Sequence, residues 1–266
     1  MEKCQQMIRR KADEIQQNMF VIHQLVLRDK KRSLSSTFMG ELWEVINPLI
    51  NMVVMVLVFG KMFGHGIKGG FPLYVLTGTT IYGLFTAGTM TCSDALIENR
   101  NFMLKTQIDM KVYILEKILV AFRNFLFSLL IYTFGIAIYR IQPRVSWLLV
   151  IPDICLILIM MFGIGKMLAV INVLLADITY FYKIFTLILM YASALFYDVG
   201  KLSAVNQKIM LINPLYIGIT IARCVLLDGM IPKLSLWIIL GIYAIGCYIL
   251  GNLCFNNAIE KVIAKL

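Results

Sequence analysis

Long apolar blocks separated by short polar or basic segments set the rhythm of this chain. A helix needs about 20 apolar residues to cross a bilayer. Six blocks come near that length: Val45–Phe63, Phe71–Cys92, Ile118–Tyr139, Ser146–Leu175, Phe181–Tyr197 and Leu234–Phe255. None alternates as a membrane barrel strand does, so the pattern predicts an all-α, polytopic membrane protein with six transmembrane helices. The fourth block is too long. Its thirty residues would measure about 45 Å as a helix, against a hydrocarbon core of about 30 Å. It must tilt, protrude or break, and Gly163 and Gly165 mark a place for a break.

Two further segments do not fit as spans. Near the N-terminus Ile8, Ala12, Ile15, Met19, Ile22 and Val26 recur at helical spacing, with Arg9, Asp13, Gln16 and Gln24 on the other faces. That stripe is too narrow and polar to cross. It predicts an amphipathic helix in the membrane interface, or one docked on a partner subunit. Before the last span, Asn213–Gly229 reads NPLYIGITIARCVLLDG, with a cation inside an apolar run of 17 residues. Such a segment suits a re-entrant or interfacial helix on the outer face. The chain therefore divides as one transmembrane domain, 1–266. Within it are a cytoplasmic interface segment over 1–40, a six-span core over 41–255 and a cytoplasmic tail over 256–266.

Composition and charge sharpen this picture. The chain is 60% hydrophobic and only 15% charged, with mean hydropathy +0.81, far from the soluble average. The net charge of +10 comes from cations flanking the apolar blocks, which points to anionic lipid headgroups and away from nucleic acid. Arginine and lysine concentrate before the first span, between the second and third, and in the tail. The positive-inside rule then puts both termini in the cytoplasm, which an even number of spans satisfies. The first 18 residues are polar and show no cleavable signal. The six cysteines form no CxxC pair and read as free thiols of an apolar core.

Catalytic chemistry is not visible. The glycine-rich FGIGKML lacks the first glycine of a P-loop and has Met167 where Ser or Thr would bind magnesium. His23 and His65 carry no ligand pattern, and no serine sits in a GxSxG context, so neither metal nor catalytic residues are expected. Charges inside apolar blocks are few: Arg123, Asp153, Lys166 and Lys183. Each either faces a cavity or partner charge, or snorkels to the headgroups. Asp153 and Lys166 are about 20 Å apart along one helix and cannot pair. Asn47 and Asn51, one turn apart on the first span, border a polar conduit or hydrogen-bond across a dimer interface. Tyr180, Ile184, Leu187, Tyr191 and Asp198 share one face of the fifth span. Rings with polar tips can pass sugars along by stacking, although tyrosine is also ordinary at membrane interfaces.

The run LVLRDKKRSLSSTFMGELWEVINPLINMVVMVLVFGKMFG, with its Arg28-Asp29, Leu42-Trp43 and Asn47-Pro48, resembles the first part of polysaccharide-exporting ABC transporter permeases. YASALFYDV and INPLYIGITIARCVLLDG are similar to later segments of that family, with Ala176 and Ala194 where it often has arginine and proline. The Phe-Pro usual in its first cytoplasmic loop is missing. The resemblance implies a lipid-linked glycan of O-antigen or teichoic-acid type, exported across a bacterial inner (plasma) membrane. Two copies of this chain would form the conduit, bordered by Asn47, Asn51, Tyr180 and Tyr191. Two copies of a separate nucleotide-binding subunit would hold ATP and magnesium, so this chain needs no cofactor. Arg28, Asp29, Lys30, Lys31, Arg32 and Trp43 become an interfacial anchor, and Asn213, Pro214 and Arg223 an outer gate. The family places its coupling helix between the second and third spans, where Phe102, Lys105, Asp109 and Tyr113 fall one turn apart. Otherwise that loop is a solvated basic connection. Alternatives are an exporter of a drug or small lipid and a membrane-embedded lipid-sugar transferase. The transferase is disfavoured because no acidic or histidine cluster is present.

Overall fold

A computed structural model describes residues 19–29, 31, 42–63, 70–103, 108–201 and 203–265. Among these the regular elements are all helical. They are α1 (residues 19–29), α2 (Leu42–Phe63), α3 (Phe71–Glu98), α4 (Arg100–Met103), α5 (Lys111–Ile138), α6 (Val150–Leu174), α7 (Ile178–Ala192), α8 (Ala204–Met210), α9 (Pro214–Arg223) and α10 (Leu234–Lys265). The apolar blocks thus become helices, as the pattern predicts, but their polar ends join them. α3 runs past Cys92 to Glu98, and α5 starts at Lys111 instead of Ile118. The last helix continues to Lys265, so described residues of the expected tail extend α10. There Lys265 Nζ donates to the Leu174 carbonyl at the C-terminal end of α6, where a cation suits the helix dipole.

α3 is the central post. It is buried along its length and packs on α2, α5, α6 and α9, while α6 lies against α10. With its leading 3-10 turn, α6 forms Val145–Leu174; this helix and Leu234–Lys265 are each long and apolar enough to cross a membrane. α8 and the segment Pro214–Asp228 meet at a bend of 102°, the shape of a broken span or a re-entrant loop. The bend has a local cause. Asn213 accepts from the backbone N–H groups of Leu215 and Tyr216, and Pro214 occupies the first helical position, which starts a new helix abruptly.

Two expectations need correction. α6 does not break at Gly163 and Gly165. Instead α10 crosses there with backbones in close approach. A Cβ on Gly163 would lie 2.2 Å from the Cys247 carbonyl oxygen, and one on Gly251 would lie 2.2 Å from the Gly163 carbonyl oxygen. The glycines serve contact between helices, a common use of small residues in membranes. Either Gly163→Ala or Gly251→Ala should therefore destabilise the purified protein by roughly 1–3 kcal/mol, as overpacking does. Gly241→Ala, where a Cβ meets nothing within 4 Å, should leave its thermal midpoint unchanged.

The fifth block is also shorter than predicted. α7 ends at Ala192 and the chain turns through Ala194, whose φ is 50°. A proline, which the resemblance expects there, could not take that angle. Asp198 consequently lies beyond α7 and shares no helix face with Tyr180 and Tyr191.

Candidate functional site

At one end of the bundle a chain of ionic contacts ties α1 to α3, α4 and α5. Arg28 donates to the Asn99 side chain at 2.9 Å and to Asp29 Oδ1 at 3.0 and 2.8 Å. Its guanidinium lies 5.5 Å from the centre of the Phe102 ring, within cation–π range. Lys117 Nζ then bridges Asp29 at 2.7 Å and Glu98 at 2.8 Å. Beside it the Glu116 carboxylate is fully buried, with neither oxygen hydrogen-bonded among the described residues.

The environment separates these acids. Burial pushes Asp29 up, but hydrogen bonds from Lys117 and Arg28 outweigh it and hold the carboxyl below its ordinary value. For Glu116 burial dominates, the Asp29 charge adds to it, and the group is pushed up to about 7 despite Lys117. Burial lowers Lys117, yet its bonds to Asp29 and Glu98 raise it overall. Two opposite environments thus sit on one lysine.

This clamp changes the meaning of several predicted residues. Arg28 and Asp29 turn into the protein and contact other helices, instead of reaching outward as an anchor. Lys31 and Trp43 are exposed, whereas Lys30 and Arg32 lie outside the described residues. The predicted coupling helix is not continuous: α3 stops, α4 occupies four residues, and 108–110 are non-helical before α5. Phe102 remains half exposed on α4. Asp109 accepts from the Lys111 N–H at the start of α5, and Lys105 lies outside the described residues. Tyr113 cannot be a docking anchor, because it is 1% exposed in the first turn of α5.

Further along the bundle a polar cleft of about 210 Å³ opens between α2, α3 and α5. It brings together Asn47 and Asn51 with Thr79, Thr80 and Gly83 of α3 and Asn124 and Ser128 of α5. The asparagine pair was legible; its neighbours were not singled out, although Asn124 and Ser128 stand one turn apart inside an apolar block. Tyr180 and Tyr191 are not part of this cleft. They lie on the outward face of α7, 68% and 59% exposed. The inward tyrosine is Tyr182, which donates to Thr89 Oγ1 at 2.7 Å.

At the other end Arg223 is buried and spoken for. It donates to the carbonyls of Ala194 and Leu195, both at 2.9 Å, and to that of Tyr74 at 3.2 and 3.1 Å. The guanidinium stacks 3.4 Å from the Tyr74 ring centre. Gly78 makes the room, since a Cβ there would come 2.6 Å from Arg223 Nη2. Asn213 donates to the Ala192 carbonyl at 3.0 Å and Ser193 Oγ at 2.9 Å while starting α9. Arg223 and Asn213 therefore staple the turn after α7 onto α3 and α9.

Two cations inside apolar blocks also find partners, although Arg123 Nη1 has none among the described residues. Lys166 donates to Asn252 and sits 4.1 and 4.3 Å from the rings of Phe162 and Tyr248. Arg123 donates to the Asn124 side chain at 3.4 and 3.2 Å. Asp153 is buried without a hydrogen bond among the described residues. Among those residues no cluster suited to a metal ion occurs.

The bundle thus has two helices of membrane length and a bent α8–α9 pair, the features of a membrane-embedded protein. The ABC-2 type transporter family matches residues 21–227, and the chain belongs to it. Its similarity extends to the O-antigen export system permease protein RfbA of Klebsiella pneumoniae, 23% identical over 205 residues, which are 77% of this chain and 79% of that protein. The protein of the same name from Myxococcus xanthus is 22% identical over 224 residues, 82% of this chain and 85% of its own length.

Proposed function

We propose that this chain is the membrane permease of an ABC exporter that carries a lipid-linked polysaccharide from the cytoplasmic to the outer face of a bacterial cell membrane. The observation that carries the reading is the match, along 77% of the chain, to permeases named for O-antigen export. In this reading α2, α3, α5, α6, α7 and α10 cross the membrane and α8–α9 re-enters from outside. Both termini are cytoplasmic, in accord with the cation distribution. Two copies related by a two-fold axis complete the conduit, and the exposed apolar face of α7 is available to the second copy. ATP and magnesium belong to a separate subunit.

The charged clamp supplies a route for force. A partner docking on half-exposed Phe102 moves α4, and Arg28, Asn99, Asp29 and Lys117 pass that movement to α1 and α5. The test is expression of this chain with its partner ATPase subunit, in cells that make the glycan but lack their own exporter. Glycan should reach the cell surface only with both proteins. Glycan retained inside, while a drug or small lipid leaves, would refute the reading.

A further inference from the structure

Hydrocarbon offers no partner to an amide or hydroxyl, so polar groups left unsatisfied within a membrane bundle call for a ligand or water. Thr80 meets that description. It is 8% exposed, lines the cleft between α2, α3 and α5, and its Oγ1 has no hydrogen-bond partner among the described residues. Asn51 lies at the exposed edge of the same cleft. Asn124 accepts from Arg123 through its carbonyl oxygen, which leaves its NH2 group for another acceptor.

The chemistry of the lining selects a class of ligand. Amides and hydroxyls line the cleft together with the apolar side chains of Leu84, Ala87, Ala121 and Phe125, and no charged side chain does. A phosphate or carboxylate would find no cation in the lining itself, since Arg123 stands behind Asn124 and is engaged with its carbonyl oxygen. An uncharged polyhydroxylated group would find donors, acceptors and a ring face for its C–H surface. The volume of about 210 Å³ is below the roughly 300–1,000 Å³ of sites for drug-sized ligands, so it admits one ring of a polymer and not its lipid. We propose that this cleft is a glycosyl subsite, in which Thr80, Asn124 and Asn51 hydrogen-bond the hydroxyls of one uncharged sugar residue of the transported polymer. The assignment rests on the polysaccharide reading above. It places the subsite within one protomer, giving a dimer two of them.

Gly83 provides the test. It lies on the cleft wall, and a Cβ there would meet nothing within 4 Å, so a larger side chain enters the cleft without displacing packed atoms. Surface glycan is measured in producing cells that carry the chain with its ATPase. Thr80→Val and Asn124→Leu should each slow export about three- to tenfold, the range for one lost hydrogen bond. Gly83→Leu should slow it by more than about tenfold, which corresponds to about 1.4 kcal/mol. Gly241→Leu, at another glycine with open space, should export normally. All variants should retain the ATPase subunit on purification.

A second readout does not depend on transport. Ser128→Cys in a complex otherwise free of cysteine should react with a water-soluble maleimide, and lipid-linked glycan extracted from the producing cells should slow that reaction. Wild-type export by Thr80→Val and Asn124→Leu, or labelling unaffected by saturating glycan, would overturn the subsite and leave a water-filled packing gap. The exporter reading would then stand. A wild-type complex that moves no glycan would overturn both.

Discussion

Arg223→Ala should all but abolish the assembled protein in the membrane. The substitution strips three carbonyls, those of Ala194, Leu195 and Tyr74, of a donor at a site where water does not reach. Leaving a buried acceptor unpaired costs about 1–3 kcal/mol. The Tyr74 carbonyl keeps its partner within α3, so the two turn carbonyls together lose about 2–6 kcal/mol, a large share of a marginal stability of about 5–15 kcal/mol. The stacking on Tyr74 goes as well. Arg223→Lys keeps the charge, but one ammonium cannot span acceptors on both α3 and the turn after α7. It should therefore recover part of the yield. Quantified membrane levels and the thermal midpoint of the detergent-solubilised protein check both expectations. A normal yield of Arg223→Ala would remove the staple from this account.

Lys117→Met should act on coupling more than on folding. It leaves Asp29 and Glu98 facing each other beside buried Glu116, with Arg28 the remaining cation of the clamp. Breaking a buried pair costs about 3–5 kcal/mol, but Glu98 is 42% exposed and Asp29 17%, so a loss of about 1–3 kcal/mol is expected after solvent screening. In the proposed coupling route the functional loss is larger, because α1 loses its link to α5 through Asp29 while Arg28 still holds it to Asn99 and Phe102. ATP hydrolysis should continue while export falls at least about tenfold, the equivalent of 1.4 kcal/mol in transmitted free energy. Asp29→Asn should show the same direction. Export and hydrolysis that decline in proportion would argue against the clamp as a transmitting element.

The same cluster predicts a pH dependence. The folded protein raises the Glu116 carboxyl from 4.5 to about 7, so it binds a proton that the unfolded chain releases. Stability from this group is present in full below pH 4.5 and is lost as pH rises through about 7. Asp29 is shifted the other way, and its contribution is lost only in stronger acid, below that window. Above pH 7 the Glu116 carboxylate therefore joins that of Asp29 beside Lys117. Thermal midpoints should fall between pH 5.5 and 8 in the wild type, and Glu116→Gln should flatten that decline.

Much of the architecture was legible because its causes are local. Apolar length predicts the helices, and Asn213-Pro214 marks the start of α9, although the same pair at Asn47-Pro48 lies inside α2. The clamp was not legible in the same way. Arg28 and Asp29 stood out as a pair, yet their partners Asn99 and Lys117 are 71 and 88 residues away. A basic cluster near a membrane looks the same whether it faces lipid or protein. Tyr113 was misread as an anchor because the exposed face of a helix depends on where the helix begins, and α5 begins at Lys111. Gly163 was misread because a glycine serves a break and a close crossing equally well; Gly251, on a different helix, decides between them. For the cleft, Asn47 and Asn51 were visible one turn apart, whereas Thr80 and Asn124 acquire meaning only once α3 and α5 are packed against α2.

Transport of a lipid-linked polysaccharide is the central claim, and reconstitution tests it most directly. The complex of this chain with its ATPase is placed in liposomes containing lipid-linked glycan extracted from the producing cells. Glycan on the outer leaflet is then assayed with an impermeant lectin. Addition of ATP and magnesium, which reach only complexes whose ATPase faces outward, should progressively hide glycan from the lectin, and omission of either component should prevent it. Glycan that stays fully accessible while ATP is hydrolysed and a fluorescent drug or short-chain lipid enters the lumen would contradict the account.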